Sequence, residues 1–379
     1  MSLNENKSMS LKTVLMIGGA YASYTIGSGF ATGQEVLQFF GSWGHPLLTV
    51  LISAVLTVAF CYCVFDTGRT QEFKNPSECY RYYCGKYVGY FFDYFSLILV
   101  FGVLISMFAG CGATLNQYFG IPTYVGAIGM GVLSAFVVLL GLKSVEKVLG
   151  VVGVIIIVYV IGIGIAALAM KGGDFATATA NLPTYVENGQ VLQAGVFGIY
   201  SPILSPICYA GICLITGCVF FTSLGKNIKS EKENVTSGIF SGIFFHAGVL
   251  LVLAAILLNL DGIVASGAQV PNLAAIDLMI PSIGWTFAII LVLGIFSTVT
   301  GYLWLVGGRF AEEKTTRHRV IVIALVVAGV FGGAIIPFNM IINILYPFAG
   351  LVGAILMVFI FVKTIRTKSA AKKNKAIAE

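Results

Sequence analysis

Charged side chains are scarce in this sequence of 379 residues, because aspartate, glutamate, lysine and arginine together account for only 10% of it. Soluble domains carry roughly 25% of such residues. Hydrophobic residues account for 58%, and the mean hydropathy is +0.94. This balance excludes a water-soluble protein, and it leaves no room for a soluble domain of any size.

Motifs of hydrolytic, metal-dependent and ATP-driven chemistry are also missing from the sequence. It contains no H-E-x-x-H or G-x-S-x-G motif, no Walker A loop, and no cysteine and histidine cluster at zinc spacing. We therefore expect a protein that is not an enzyme and that has no organic cofactor. The net charge of +6 comes from lysine and arginine beside the membrane, so nucleic acid is not an expected partner.

Long apolar runs occupy most of the chain. Each has 17 or more residues and lacks the period-two alternation of a transmembrane β-barrel, which is typical of helices that cross about 30 Å of hydrocarbon. Glycine is abundant, at 45 residues, as in membrane helices that approach one another closely. The sequence predicts ten spans, near residues 12–41, 46–68, 88–119, 123–142, 148–170, 191–224, 235–258, 283–308, 320–336 and 338–362.

The basic residues fall almost entirely on one side of these spans. Of the 22 lysines and arginines, 21 lie before span one or after an even-numbered span, and Lys171 alone lies on the other side. Because cytoplasmic loops attract lysine and arginine, both termini are predicted to be cytoplasmic. Six of the eight cysteines lie within spans and two in a cytoplasmic loop, so all eight are expected to be free thiols.

Ten spans divide into two sets of five, and an odd number makes the second set enter the membrane in the opposite orientation. In such inverted repeats the first helix of each set is broken where substrate binds. Span one carries GSGFATG at 27–33, and span six carries Ser-Pro pairs at 201 and 205 followed by Tyr-Ala-Gly at 209–211. Packing alone is the other explanation for glycine and proline there. The predicted parts are a cytoplasmic N-terminus 1–11, a first repeat 12–171, an extracellular connection 172–190, a second repeat 191–362 and a basic cytoplasmic tail 363–379.

Three stretches of the sequence resemble a known family. IGSGFATGQEVLQFF at 26–40, Tyr-Ala-Gly in span six and GIFSTVTGYLW at 294–304 are similar to the bacterial YkvI-type amino acid permeases, in the amino acid/polyamine/organocation superfamily with the LeuT fold. The resemblance extends over essentially the whole chain. It implies an all-α membrane protein with a five-plus-five inverted repeat, broken helices 1 and 6, and a substrate site between spans one, three, six and eight. It also implies cation-coupled uptake by alternating access across the bacterial plasma membrane, but it does not specify a substrate.

The substrate site is predicted at the two interruptions. Thr32 and Glu35 fit the capping box S/T-x-x-E, in which the Thr32 hydroxyl accepts from the Glu35 N–H and the Glu35 carboxylate accepts from the Thr32 N–H. The N-terminus of that half-helix would then attract a substrate carboxylate. Alternatively, Glu35 binds a substrate ammonium group, carries a proton, or makes a plain buried hydrogen bond. The predicted substrate-binding residues are Gly27, Ser28, Gly29, Phe30, Ala31, Thr32, Gly33, Glu35, Tyr209, Ala210 and Gly211.

Adjacent hydroxyl groups in span eight are candidates for binding a coupling ion. A hard cation without a carboxylate needs a shell of neutral oxygens, which Ser297 and Thr298 can supply in part. The resemblance to LeuT-fold sodium symporters implies a sodium site made of these two side chains and the carbonyl oxygens of Ser23, Ile26 and Gly294. The same hydroxyls could instead bond back to their own helix.

Other polar residues in the spans have less specific interpretations. His246 could relay protons near neutral pH, although an interhelical hydrogen bond explains it better. Asn339 and Asn343 lie four apart on one face of span ten and are expected to join helices. Asp66 and Asp93 are expected to lie at the membrane interface rather than to be buried.

The sequence favours a sodium-coupled symporter of an amino acid or a related small amine, since two interrupted helices and an ion site occur together. A proton-coupled permease, a ligand sensor on a transporter fold and a channel remain as alternatives. A sensor would bind its ligand without accumulating it, and a channel would pass solute far faster than alternating access allows. The expected partners are a small-molecule substrate and the lipid bilayer, and the sequence does not indicate an oligomeric state.

Overall fold

The computed structural model describes residues 9–73, 75, 77–140 and 142–378, and for Ser28, 142–154, 156, 157, 372 and 374–378 it describes the backbone alone. Within these residues the protein is helical, and its one β contact is an isolated bridge between Val196 and Ile199. The helices are α1 Leu11–Thr25, α2 Ser28–Thr32, α3 Gln34–Val36, α4 Pro46–Thr70, α5 Glu78–Phe119, α6 Thr123–Leu140, α7 Leu142–Lys171, α8 Phe175–Ala178, α9 Leu182–Glu187, α10 Leu204–Gly225, α11 Glu231–Leu257, α12 Leu260–Ser266, α13 Pro271–Met279, α14 Gly284–Phe310, α15 Thr316–Ile335 and α16 Phe338–Ala378.

Nine helices in the described part of the chain are long and apolar enough to cross a membrane: α4, α5, α6, α7, α10, α11, α14, α15 and α16. With 15 residues, α1 is too short, because at about 1.5 Å per residue it covers only some 22 Å. The predicted first span is completed by α2, α3 and a π-helical turn, Leu37–Gly41. The all-α membrane architecture predicted from the sequence is confirmed, with a first crossing made of short pieces.

Several predicted boundaries shift. The predicted sixth span begins at 191, but 191–203 is not helical and α10 begins at Leu204. At the basic end of the third span, α5 begins at Glu78, ten residues earlier than predicted, and Gly85 with φ 74° and ψ −176° separates its first helical turns from the rest. The last helix, α16, continues through the predicted tail.

Close approach of backbones determines how α10 packs between α4 and α16. A Cβ on Gly211 would overlap the carbonyl oxygen of Gly350 and lie 2.7 Å from the nitrogen of Ala354. On the other side, a Cβ on Gly68 of α4 would overlap the carbonyl oxygen of Thr222. Since membrane helices gain little from burying apolar surface against each other, such glycine crossings supply the packing that holds them together.

Helix ends that carry basic residues meet at one end of the bundle, which we call the basic face. Arg69 near the end of α4 donates to Glu231 at the start of α11 over 2.6 Å, and Lys368 of α16 donates to the same carboxylate over 2.7 Å. Arg309 near the end of α14 donates to Asp93 of α5 over 2.7 Å. These contacts join α4, α11 and α16 in one group and α5 and α14 in another.

Asp66 and Asp93 correct part of a prediction, because they pair with basic-face residues but are buried there. Their exposed fractions are 9% and 3%. Asp66 lies 2.5 Å from Arg69 and 3.3 Å from Lys368, while Asp93 pairs with Arg309. A buried carboxylate is tolerated when a cation pairs with it, and Arg309 is 216 positions from Asp93, so the local sequence does not reveal the partner.

All eight cysteines are free thiols, as predicted.

Candidate functional site

The interruption predicted in span one is confirmed at Ile26 and Gly27, between α1 and α2. The Ile26 N–H still donates to the carbonyl of Ala22 over 2.9 Å, but the Gly27 N–H turns to the carbonyl of Thr25 over 3.0 Å. Gly27 adopts an extended backbone, with φ −97° and ψ −168°. A Cβ there would lie 2.9 Å from the Met107 side chain of α5, so this glycine also allows α5 to come close.

A second interruption occurs at Gly33, whose φ of 82° lies in the left-handed region. Only glycine adopts this conformation without cost. A Cβ at Gly33 would also meet the side chains of Ile256 and Asn272 at 2.6 and 2.9 Å. Asn272 of α13 donates to the carbonyl of Ala31 over 2.9 Å and so satisfies an acceptor at the end of α2.

The left-handed turn at Gly33 explains why the predicted capping box of Thr32 and Glu35 is wrong. The Thr32 hydroxyl donates to the carbonyl of Gly29 over 3.0 Å and accepts from the N–H of Gln34, not of Glu35. The Glu35 side chain turns back towards the first interruption instead. Its Oε1 accepts from the hydroxyl of Tyr209 on α10 over 3.1 Å.

The carboxylate of Glu35 lies against Gly29. A Cβ on Gly29 would overlap Oε2 and lie 2.8 Å from Cδ of Glu35. Gly29 has no positive φ, so here a glycine is required by space and not by backbone conformation. Glu35 is 6% exposed, and among the ion pairs of the described residues none includes it.

Glu35 and Tyr209 border a cavity at the first interruption. About 440 Å³ of empty space, part of it open to solvent, lies between α1, α3, α5, α10, α14, α16 and the interruption at Gly27. The spans that the resemblance implied, one, three, six and eight, all contribute, and span ten adds Tyr346. The lining residues are Tyr24, Thr25, Gly27, Glu35, Val103, Met107, Tyr209, Ile212, Cys213, Thr216, Tyr302 and Tyr346.

Aromatic rings close this cavity on both sides. Away from the basic face, the ring of Tyr209 packs edge-on against Phe40, with centroids 4.7 Å apart. Towards the basic face, Tyr24 stacks on Phe220 at 4.6 Å and contacts Tyr302 at 6.1 Å. The Tyr24 hydroxyl also donates to the carbonyl of Thr216 over 2.8 Å. These rings therefore bound the cavity in both directions along the bundle, near its middle.

Comparison with known proteins agrees with this architecture. No family model matches the chain. It is 24% identical over 359 residues to the uncharacterized protein YyaD of Bacillus subtilis (strain 168), covering 94% of this chain and 98% of YyaD. It is 20% identical over 341 residues to the uncharacterized membrane protein YkvI of the same organism, covering 88% and 90% of the two chains. Among solved structures, MhsT in complex with L-phenylalanine superposes with a TM-score of 0.57 at 14% identity, over 92% of this chain and 88% of MhsT. The chain is thus similar to YyaD and YkvI over most of its length, and it has the LeuT fold.

The predicted substrate residues occupy different places in this LeuT fold. Gly27, Glu35 and Tyr209 line the cavity. Phe30 and Ala31 are buried, with Phe30 against Phe245 of α11 at 5.4 Å. The backbone of Ser28 begins α2, and its side chain lies outside the described residues.

An interruption of span six over the Ser-Pro pairs at 201 and 205 and Tyr209-Ala210-Gly211 was also predicted, and the structure has non-helical backbone at Ser201-Pro202 but not at 209–211. These three residues lie within the continuous helix α10, and Gly211 packs against α16 instead of facing the cavity. The Ser-Pro pairs explain the difference, because Pro206 lies in the first turn of α10, where a missing N–H costs nothing. The non-helical part of span six therefore comes before Leu204.

Of the five predicted sodium ligands, the hydrogen bonds of the described residues join Thr298 and Gly294 alone. Thr298 donates its hydroxyl to the carbonyl of Gly294 over 3.2 Å, which is a bond back to its own helix. Ser297 is buried. Among the described backbone hydrogen bonds, none goes to the carbonyl oxygens of Ser23 or Ile26, because the helix ends between them. Two of the five predicted ligands thus present free acceptors.

His246 makes the interhelical hydrogen bond that its position in span seven favoured. Its Nε2 lies 2.9 Å from the Ser53 hydroxyl of α4, and its Nδ1 lies 2.9 Å from the carbonyl of Gly242. It does not line the cavity. Asn343 remains with a buried Oδ1 that has no donor among the described residues, while the carbonyl of Asn339 accepts from Gln38 over 3.3 Å.

Sequence reasoning missed Tyr24, Tyr302 and Tyr346 as lining residues. Tyr24 lies three positions before Gly27, and Tyr302 lies within the GIFSTVTGYLW stretch. Both are therefore in or beside the motifs described above. Tyr346 carries no such signal. Its hydroxyl lies 3.0 Å from that of Ser106 on α5, a contact between residues 240 positions apart.

Proposed function

We propose that this protein is a secondary active transporter that carries a small amine or amino acid across the bacterial plasma membrane by alternating access, together with sodium. The observation that carries the proposal is the cavity at the interruption of span one, which aromatic rings bound on both sides. A transporter must bind its substrate at mid-membrane, in a place from which either side can be reached. The cavity has this position, with one aromatic closure on each side.

The relation to solved structures supports the same function. MhsT, which shares the fold, was crystallised with L-phenylalanine, and an amine-containing substrate of similar chemistry is proposed for this chain. With both termini in the cytoplasm, as the distribution of basic residues predicts, the closure formed by Tyr24 and Tyr302 faces inwards. The closure formed by Tyr209 and Phe40 faces outwards.

Sodium coupling is proposed because, among the described residues, no hydrogen-bond donor reaches the carbonyl oxygens of Ser23 and Ile26 at the interruption. Neutral oxygens of this kind bind hard cations. Ser297 and Thr298 would complete the site after the Thr298 hydroxyl turns away from Gly294. A site without a formal negative charge binds sodium weakly on its own, so ordering of the interruption by substrate should strengthen it.

Proton coupling is the second candidate, and Glu35 favours it. A carboxylate that is buried in a membrane protein without a cation is a candidate proton carrier. In this alternative the sodium requirement disappears, and Glu35 takes up a proton when the cavity opens to the outside.

Uptake into proteoliposomes distinguishes these candidates. A thermal-shift screen of the purified protein against amino acids and quaternary amines, with sodium or potassium, first identifies a ligand. Proteoliposomes should then accumulate that ligand when sodium is outside, and not when potassium replaces it. Uptake that follows an imposed pH gradient without sodium would favour proton coupling. Stabilisation without any accumulation would contradict transport and would indicate a sensor.

A further inference from the structure

The described residues that line the cavity contribute one carboxylate and no cationic side chain. The lining includes Glu35 but no lysine, arginine or histidine. Among the described residues, Tyr209 donates a hydrogen bond to Oε1 of this side chain. A carboxylate that is ionised and buried in this way lacks a compensating positive charge, which is costly inside a protein. The bound substrate is a source of that charge.

Glu35 also occupies space beside the first turn of α2. Its Oε2 lies where a side chain on Gly29 would be, next to the interruption. A substrate carboxylate placed against this turn would lie beside the carboxylate of Glu35, and two carboxylates at such short distance repel each other. The arrangement therefore disfavours a zwitterion that points its carboxylate at α2.

Tyrosine rings complete the surroundings of Glu35. Tyr24, Tyr209, Tyr302 and Tyr346 all line the cavity. The face of a tyrosine ring attracts an alkylammonium group, and several such rings around one point are a recognised way of binding quaternary ammonium ions. Because Tyr209 occupies Oε1, Oε2 remains available to an ammonium group.

We propose that the substrate is an organic monocation, an amine or quaternary ammonium compound without a carboxylate, and that Glu35 is its counter-ion. This inference rests on the proposed transport function and narrows its substrate class. A zwitterionic amino acid would bring its own negative charge into a cavity that already has one. A monocation brings the charge that the cavity lacks.

Matched pairs of ligands test this proposal on the full-length protein in detergent. L-Phenylalanine is phenethylamine with an added carboxylate. Glycine betaine has a carboxylate where choline has a hydroxymethyl group. Calorimetric titration should show that the cation of each pair binds at least tenfold more tightly than the zwitterion. This comparison uses the wild-type protein and does not depend on the folding of a variant.

Variants then assign the effect to Glu35. Glu35→Gln should weaken binding of phenethylamine and choline at least tenfold and reduce the preference within each pair. Glu35→Asp keeps the charge and should retain the preference. Glu187→Gln, in the exposed helix α9, removes a carboxylate far from the cavity and should change neither affinity.

Three results would overturn the proposal: zwitterions that bind as tightly as their cationic partners, failure of both cations to bind, or unchanged cation affinity in a folded Glu35→Gln protein. Transport is tested separately in proteoliposomes. Accumulation of L-phenylalanine in preference to phenethylamine would refute the monocation and leave transport intact. Tight binding of the cations without accumulation would refute transport and leave the assignment of the binding site intact.

Discussion

Replacement of Gly29 by alanine tests how the two interruptions of span one work together. The added Cβ overlaps Oε2 of Glu35 and lies 2.8 Å from its Cδ, closer than packed carbon atoms approach. The backbone of Gly29 needs no positive φ, so α2 itself accepts alanine. The Glu35 carboxylate is the group that has to move.

The cost follows from the hydrogen bond that this movement breaks. The Tyr209 hydroxyl donates to Oε1 over 3.1 Å, and hydrogen bonds to charged groups contribute about 1.5–3 kcal/mol. Alanine in place of a helical glycine returns about 0.5–1 kcal/mol. The free energy of unfolding should therefore fall by about 0.5–2.5 kcal/mol. If the displaced carboxylate also loses its bond to the substrate, affinity should fall roughly ten- to hundredfold, at about 1.4 kcal/mol per factor of ten.

Thermal unfolding in detergent and titration with phenethylamine measure the two effects on the same sample. Gly129→Ala in α6 is the matched control, because nothing lies within 4 Å of its added Cβ, and it should leave affinity unchanged and stability equal or higher. If Gly29→Ala behaves like this control in both measurements, then Glu35 does not occupy the space beside Gly29 and the description of the site is wrong.

Three further predictions concern packing, coupling and sidedness. Gly211→Ala should lower the thermal stability more than Gly29→Ala does, because its Cβ meets backbone atoms of α16 instead of a movable side chain; equal stability to wild type would contradict the close crossing. Thr298→Ala should raise the sodium concentration needed for half-maximal uptake while changing the substrate requirement little at saturating sodium, and an unchanged sodium requirement would remove Thr298 from the ion site. In a cysteine-free background, a thiol reagent that does not cross membranes should label Gly44→Cys from outside but not Lys232→Cys, both at exposed positions; the opposite pattern would reverse the topology.

The sequence anticipated those features that depend on local chemistry. All nine long helices of the described residues follow from apolar length, and the broken first crossing follows from the glycines at 27–33, since each of these acts on its own segment. The capping box failed for a local reason as well. The sequence indicates that the backbone at Gly33 need not be helical, but it does not indicate a left-handed conformation there. That conformation changes the direction of the Glu35 side chain, and the spacing of residues in a motif does not predict such a change.

Features that depend on distant partners escaped prediction. Glu35 and Tyr209 are 174 positions apart in the sequence, and Asp66 pairs with Lys368, which is even farther away in the sequence. No local pattern distinguishes a buried paired aspartate from an interfacial one, because the difference lies in the partner. The resemblance to a family implied the right spans around the cavity, yet it did not identify the tyrosines that line it.

The glycine crossings of α10 have a consequence for movement. At Gly211 and Gly68 the backbone of α10 touches α16 on one side and α4 on the other, with no side chain between them to slide or bend. Contacts of this kind transmit displacement directly, as between parts of one rigid body. These three helices should therefore move as one unit during transport, and α10 and α16 should carry their share of the cavity lining with them.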